Sequence, residues 1–320
     1  MSEPVFDYVL PLEDWIQTGV EWVVQEWRPF FQAVRWPVAH TLDALEAFLL
    51  DVPFLVFLVV LFLLAWRAAG WRVGIFSVGA MFFIGLIGLW EHAMTTLAII
   101  FTALLFDVLV GVPLGLLAGR SDRFWTVLRP VLDIMQTTPS FVYLVPVVML
   151  FGVGTVPGVI ATIIFSLAPV IRMTNLGIRQ VTPEVVEAGH AFGATNLQML
   201  RDIQIPLALP TIMAGLNQTL LLGMVMSTIA SMIGAEGLGL VVLRGIGRLD
   251  VGLAAIGGLG IVLMAMFLDR ITQAMGHSGR HAGPLPKTFQ ERLLRAIIGD
   301  GFLRQRFGPG NSQRGGEENA

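Results

Sequence analysis

Apolar residues fill seven stretches of the chain, near 52–69, 73–90, 95–118, 139–155, 157–175, 208–232 and 251–272, with short polar or glycine-bearing segments between them. Each is close to the roughly 17 to 25 residues that a helix needs to cross about 30 Å of hydrocarbon. The pattern predicts an all-α, polytopic membrane helix bundle of about seven spans. The first stretch begins beside Asp51 and Pro53, and the fourth is short and contains Pro146. Proline within a span is tolerated where neighbouring helices re-satisfy the freed backbone, so Pro113, Pro146 and Pro169 predict bent helices in a packed bundle.

Ahead of the spans, Trp15, Ile16, Val20, Val23 and Trp27 recur at helical spacing with acids between them, and Trp22 and Trp36 add aromatic weight. That pattern fits a helix lying in the membrane interface, with a partner-binding surface as the other reading. After the last span, residues 276–320 are rich in Gly, Arg and Pro and read as a cytoplasmic, mostly disordered tail, with room for a short amphipathic helix near 288–298. The chain thus divides into an outer segment 1–52, a transmembrane domain 53–275 and a tail 276–320.

Between the fifth and sixth stretches the apolar pattern breaks. Thr182-Pro183-Glu184 reads as a helix start, with a hydroxyl at the N-cap, proline at the first position and a carboxylate in the positive first turn. Gly193 can close that helix in a left-handed cap, and Thr195 can begin a second one that runs until Pro206. This polar island is a compact helix-turn-helix, and Gly193 leaves room for another protein to approach its turn. Arg201 against Glu184, Glu187 and Asp202 argues against DNA. The plainer reading is an ordinary loop between spans.

Composition narrows the class: 55% hydrophobic and 13% charged residues exclude a water-soluble domain of this size. Net charge is −3, which gives no reason to expect a nucleic-acid partner, and the absence of cysteine excludes disulfides, thiolate nucleophiles and Cys-bound metals. His277 and His281 are four apart, without the Glu that a zinc-hydrolase helix needs. With the amino terminus outside, 16 of the 20 basic residues fall in inner segments, leaving Arg28, Arg35, Arg244 and Arg248 outside. The positive-inside rule therefore predicts amino terminus out, carboxyl terminus in and the polar island in the cytoplasm. The acidic amino terminus has no basic region ahead of an apolar stretch, so the first span is expected to do the targeting.

Glu187-Ala188-Gly189, Gly193 and Ile203-Gln204-Ile205-Pro206 together resemble the EAA loop of permease subunits in bacterial ABC importers. The flanks are similar to the glycine betaine/proline betaine osmoprotectant branch: Gln136-Thr137-Thr138-Pro139-Ser140-Phe141, Pro210-Thr211-Ile212-Met213-Ala214-Gly215 and Gly245-Ile246-Gly247-Arg248-Leu249-Asp250. The resemblance covers roughly residues 90 to 276. Gly189 stands where the family usually has a second Ala, and Ile205 where Leu usually precedes Pro206. Glycine at 189 would loosen the first helix by about 1 kcal/mol.

The resemblance implies a type I ABC importer permease fold in the bacterial inner membrane. It implies a coupling loop at 182–206, with Glu187, Ala188, Gly189, Gly193, Ile203, Ile205 and Pro206 at the contact with cytoplasmic ABC ATPase subunits. It further implies a second copy of the chain and a periplasmic or lipid-anchored substrate-binding protein that carries the selective site. The residues agree that energy comes from elsewhere, because a P-loop needs Gly-Lys-Ser/Thr and the only lysine, Lys287, lies between Pro286 and Thr288. No cofactor is expected on this chain, with ATP and magnesium belonging to the partner ATPase.

Asn217, Gln218, Thr219, Ser227, Thr228 and Ser231 place amides and hydroxyls along the sixth span, where they could line a path or hold helices together. Asp107 in the third span either faces the bundle interior or the dimer seam, or is a carboxylate hydrogen-bonded near a helix break before Gly111 and Pro113. Arg244 and Arg248 belong to a glycine-rich outer element and read as a binding-protein contact or outer gate, or as a local pair of Arg248 with Asp250. Only two Tyr are present, so no tight aromatic cage for a quaternary ammonium is expected in the bundle. Glycine betaine leads as substrate, with choline, proline betaine, carnitine, trimethylamine N-oxide and dimethylsulfoniopropionate compatible. An intramembrane enzyme would need a nucleophile–base pair or metal cluster, and neither G-x-S-x-G nor H-E-x-x-H occurs. An ATPase-independent channel has no use for the capped island, and no internal repeat points to an ion-coupled carrier.

Overall fold

The computed structural model describes residues 11–278; the tail with its candidate helix near 288–298, Lys287 and His281 lies outside the described residues. Two helices precede the first apolar stretch, α1 (Leu12–Glu26) and α2 (Arg28–Asp51). The expected interface helix corresponds to α1, whereas α2 was not foreseen. Pro37 inside it and its scattered charges hide the spacing of Val38, Leu42 and Leu49, which it buries against the bundle. Pro53 holds an extended backbone at the end of α2, and the chain turns through 106° into α3 (Phe54–Ala69).

Gly70 (φ +91°) then turns α3 into α4 (Trp71–Leu86), an antiparallel hairpin in which Phe54 packs at Gly85 and Phe62 at Gly74. The next elements are α5 (Trp90–Arg120), α6 (Asp122–Thr137), a 3-10 turn (Ser140–Tyr143) with α7 (Leu144–Phe151), and α8 (Thr155–Arg179). The island follows as α9 (Pro183–Ala191), α10 (Asn196–Gln198) and a π-helical turn (Met199–Gln204). It leads into α11 (Ile205–Ala230), and a short α12 (Leu238–Gly247) and α13 (Val251–Ser278) complete the described chain.

Among the described residues four helices are long and apolar enough to cross a membrane, and six if each sharply bent pair, α2 with α3 and α6 with α7, counts as one crossing. The count of about seven is reached only by adding α4, whose 16 residues span about 24 Å. The expected fourth span, 139–155, is the second half of the α6–α7 pair, bent by 109° at Pro139.

Small residues set how these helices meet. Along α5, Asp107, Gly111, Gly115 and Gly119 face Ser166, Val170, Thr174 and Ile178 of α8, a constant offset of parallel helices. Without side chains at three of four positions, the backbones approach closely, as in small-xxx-small seams of membrane bundles. Since α5 and α8 point the same way, the bent α6–α7 pair must carry the chain back between them. Helix α11 runs antiparallel to α8, with Ala208 at Gly177, Gly215 at Met173 and Ala230 at Gly158. Helix α13 is antiparallel to α11, joined by Asn217 Nδ2 donating to Asp269 at 3.0 Å. The island therefore shares one end of the bundle with the end of α5, the start of α6 and the end of α8. The start of α5, the start of α8 and α12 lie at the other end, where Leu238 N donates to Thr96 Oγ1 (2.8 Å) and Gly154 N to the Ile233 carbonyl (2.8 Å).

Candidate functional site

The island forms from local rules. Pro183 occupies the first turn of α9 and Thr182 its N-cap, but the Thr182 hydroxyl makes no capping bond; its carbonyl accepts from Val185 N at 3.1 Å instead. At the other end Gly193 N donates to the His190 carbonyl (2.9 Å) and Ala194 N to the Gly189 carbonyl (3.1 Å), with Gly193 at φ +82°. This paired Schellman closure satisfies two orphan carbonyls and requires the left-handed residue that glycine adopts freely. Thr195 and Gln198 then form a reciprocal capping box, with Thr195 N donating to Gln198 Oε1 at 2.9 Å. Thr195→Ala should weaken the start of the second arm by about 1 kcal/mol, read as roughly fivefold faster amide exchange at residues 196–199. Unchanged exchange would show that α11 alone holds this arm.

The second arm does not stop at Pro206, as expected from its sequence, but continues through the π turn into α11, giving one helical run from Asn196 to Ile233. Proline at position 206 offers no N–H and crowds the carbonyl four residues back, and the wider π turn immediately before it accommodates both demands.

The seven residues singled out in the loop serve two purposes. Gly189 is buried, and a Cβ there would lie 2.3 Å from Met199 Cε and 3.1 Å from Ile203 Cδ1, so the missing methyl is the space that Met199 fills. The helix propensity lost at Gly189 is offset by that contact, which locks the two arms together. Ile205 packs beside Ile178, Ala208 and Ile212 and ties the island to α8 and α11. Pro206 is exposed, as are Glu187, Ala188 and Gly193 at the tip, and no atom lies within 4 Å of where a Gly193 Cβ would be. Two residues escaped the sequence reading: Phe192 and Leu197, 81% and 71% exposed on either side of Gly193. Their signal was present as large apolar side chains in a polar stretch that folds too tightly to bury them.

Arg179 anchors the base of the island. Its guanidinium donates to the Ala118 carbonyl (2.9 Å) and Asn175 Oδ1 (2.8 Å) and pairs with Asp122 at 2.7 Å. One side chain thereby links the ends of α5 and α8 to the start of α6. Arg172 adds a second tie to α6 through Asp133.

The polar residues of α11 divide similarly. Thr219 Oγ1 donates to the Ser166 carbonyl (3.1 Å), Ser227 Oγ to the Met224 carbonyl (2.9 Å) and Ser231 Oγ to the Thr228 carbonyl (2.7 Å), and all three are buried. Asn217 joins Asp269 and Thr272 of α13. Gln218 instead lies on the exposed face of α11 with Ala214 and Val225, at helical spacing. Asp107 is fully buried in the α5–α8 seam and accepts from Ser166 Oγ at 2.6 Å. Arg244 and Arg248 are exposed at the far end. Arg248 and Asp250 make no ion pair; Asp250 Oδ1 instead accepts from Leu253 N at 3.0 Å and caps α13. Among the described residues no group of three or more His, Asp or Glu is placed to hold a metal.

Comparison with known proteins places the chain in a family. Residues 111–278 match the family model described as "Binding-protein-dependent transport system inner membrane component". The chain is 52% identical over 281 residues to the glycine betaine/proline betaine transport system permease protein ProW of Escherichia coli, covering 88% of this chain and 79% of that protein. It is 41% identical over 275 residues to the glycine betaine/carnitine transport permease protein GbuB of Listeria monocytogenes, covering 85% and 97%. A solved inward-facing structure of the MetNI methionine ABC transporter shares the fold of 61% of this chain and 96% of its own, with TM-score 0.54 at 21% identity. A polytopic helical bundle with a capped, protruding loop, matched over these lengths, makes the chain a member of the binding-protein-dependent inner-membrane permease family, a transport subunit and not an enzyme.

Proposed function

We propose that this chain is the translocation subunit of an ATP-driven importer for a quaternary-amine osmolyte, glycine betaine first among them, working as a homodimer with a separate ATPase and a substrate-binding protein. The 16-to-4 distribution of basic residues supports an orientation with the island end in the cytoplasm. The observation that carries the mechanism is the continuity of the island's second arm with α11 over 38 residues. A push or pull on the Phe192–Gly193–Leu197 tip is delivered to a span without passing through a slack linker, and the Gly189–Met199 contact makes the first arm move with it. Because α8 packs closely on both α5 and α11, a displacement of the island is delivered to the three helices as one packed group. The exposed face of α11 with Ala214, Gln218 and Val225 then faces the second copy and the path. Arg244 and Arg248, exposed and without an ion pair among the described residues, are placed for acids on a binding protein.

Reconstitution into vesicles tests this reading. Together with a partner ATPase and a substrate-binding protein, the permease should import labelled glycine betaine only when ATP is on the island side. Betaine flux without any ATPase would replace the importer by a channel, and ATP-driven uptake of choline or trimethylamine N-oxide without betaine would move the substrate within the class.

A further inference from the structure

Two cavities adjoin where α1 and α2 pack on the last turns of α7. One wall of the larger, about 440 Å³, carries Gln25, Arg28, Gln32 and Arg35 at i, i+3, i+7 and i+10, facing Phe31 and residues 149–152. The smaller, about 240 Å³, is lined by Trp15, Gly19, Val20, Val23, Pro146 and Leu150, and offers no charged side chain. Leu150 belongs to both, so a polar recess opens beside an apolar groove.

The charge of the recess is unexpected. The first 52 residues hold nine acids and only these two arginines, yet no ion pair or hydrogen bond among the described residues engages Arg28 or Arg35. Two of the acids bond elsewhere: Glu21 accepts from Gln17 at 2.9 Å and Glu46 from Thr95 at 2.7 Å. Two unneutralised guanidiniums beside a hydrocarbon-lined groove are the chemistry that holds an anion with an apolar tail. Trp15 of the groove and Trp22 and Trp27 nearby in sequence are each more than half exposed, in keeping with a place at the headgroup level where indoles concentrate.

We propose that this two-part cavity binds an anionic phospholipid, its phosphate held by Arg28 and Arg35 with Gln25 and Gln32, and one acyl chain lying in the groove along α1. The bound lipid fills the space between α1 and α7 and fixes the amino-terminal helices to the bundle. The inference is independent of the transported substrate, because it is read by binding alone.

The test is native mass spectrometry of the full-length permease in detergent, titrated with phosphatidylglycerol or phosphatidylcholine. The wild type should retain one phosphatidylglycerol per chain about tenfold more tightly than phosphatidylcholine. Arg28→Gln with Arg35→Gln should abolish that preference. Val20→Trp, which keeps both charges and fills the groove, should weaken phosphatidylglycerol by a similar factor. Equal retention of the two lipids, wild-type binding by the double variant, or displacement by millimolar inorganic phosphate or glycine betaine would overturn the proposal, the last two marking a free-anion or zwitterion site. Exclusion of lipid by a second copy of the chain would overturn it equally.

Discussion

Gly193→Val is expected to leave the subunit in the membrane at its normal level while cutting betaine uptake and substrate-stimulated ATP hydrolysis of the assembled transporter by roughly twentyfold or more, about 1.8 kcal/mol of coupling. Gly193 holds φ +82°, where a β-branched residue is strained by about 1–2 kcal/mol. No neighbour lies within 4 Å of its would-be Cβ, so the side chain itself meets nothing within the subunit. The strain is confined to one turn, and the contacts holding the island, Gly189 with Met199 and Arg179 with Ala118 and Asp122, lie away from it. A large loss of function would then point to the surface that we propose meets the ATPase. Gly193→Asn separates the two causes, since asparagine tolerates the left-handed backbone but adds bulk at the tip. Loss in both variants places the effect on close approach of a partner, and loss in valine alone places it on the turn. Wild-type uptake by the valine variant would remove the island from the coupling mechanism.

The second large effect belongs to the seam between α5 and α8. A Cβ on Gly115 would lie 2.5 Å from Thr174 Cβ and 2.8 Å from the Ile171 carbonyl oxygen, and a carbonyl in a helix cannot swing away as a side-chain end can. Gly115→Ala should therefore cost about 2–3 kcal/mol and lower the unfolding temperature in detergent by roughly 5 °C, and Gly115→Leu should prevent a monodisperse permease from being recovered. Gly79 is the control, because nothing lies within 4 Å of its would-be Cβ and Gly79→Ala should be neutral or slightly stabilising. Equal stability of the Gly115→Ala variant would show that the two helices are not packed along this line.

Much of the island could be read from the chain because its rules are local. The left-handed turn at Gly193 and the box between Thr195 and Gln198 depend on residues within five positions of each other. The same reach explains a shortfall: Thr182 fits an N-cap by type, yet its hydroxyl makes no capping bond. Span positions were legible for the long apolar runs and less so for α4 and the bent pairs, since hydropathy counts residues and does not see a 109° turn at Pro139.

By itself the sequence determined that this is a polytopic helical membrane protein with a capped polar island between two spans, since hydropathy and capping act over a few turns of chain. Only the tertiary structure decided what each small or polar residue is for. Gly189 makes room for Met199, Gly115 for Thr174, and Asn217 reaches Asp269 of α13, partners 10, 59 and 52 residues away. Membrane helices associate through close packing and interhelical hydrogen bonds, and both are properties of a pair of surfaces that neither helix's sequence contains alone.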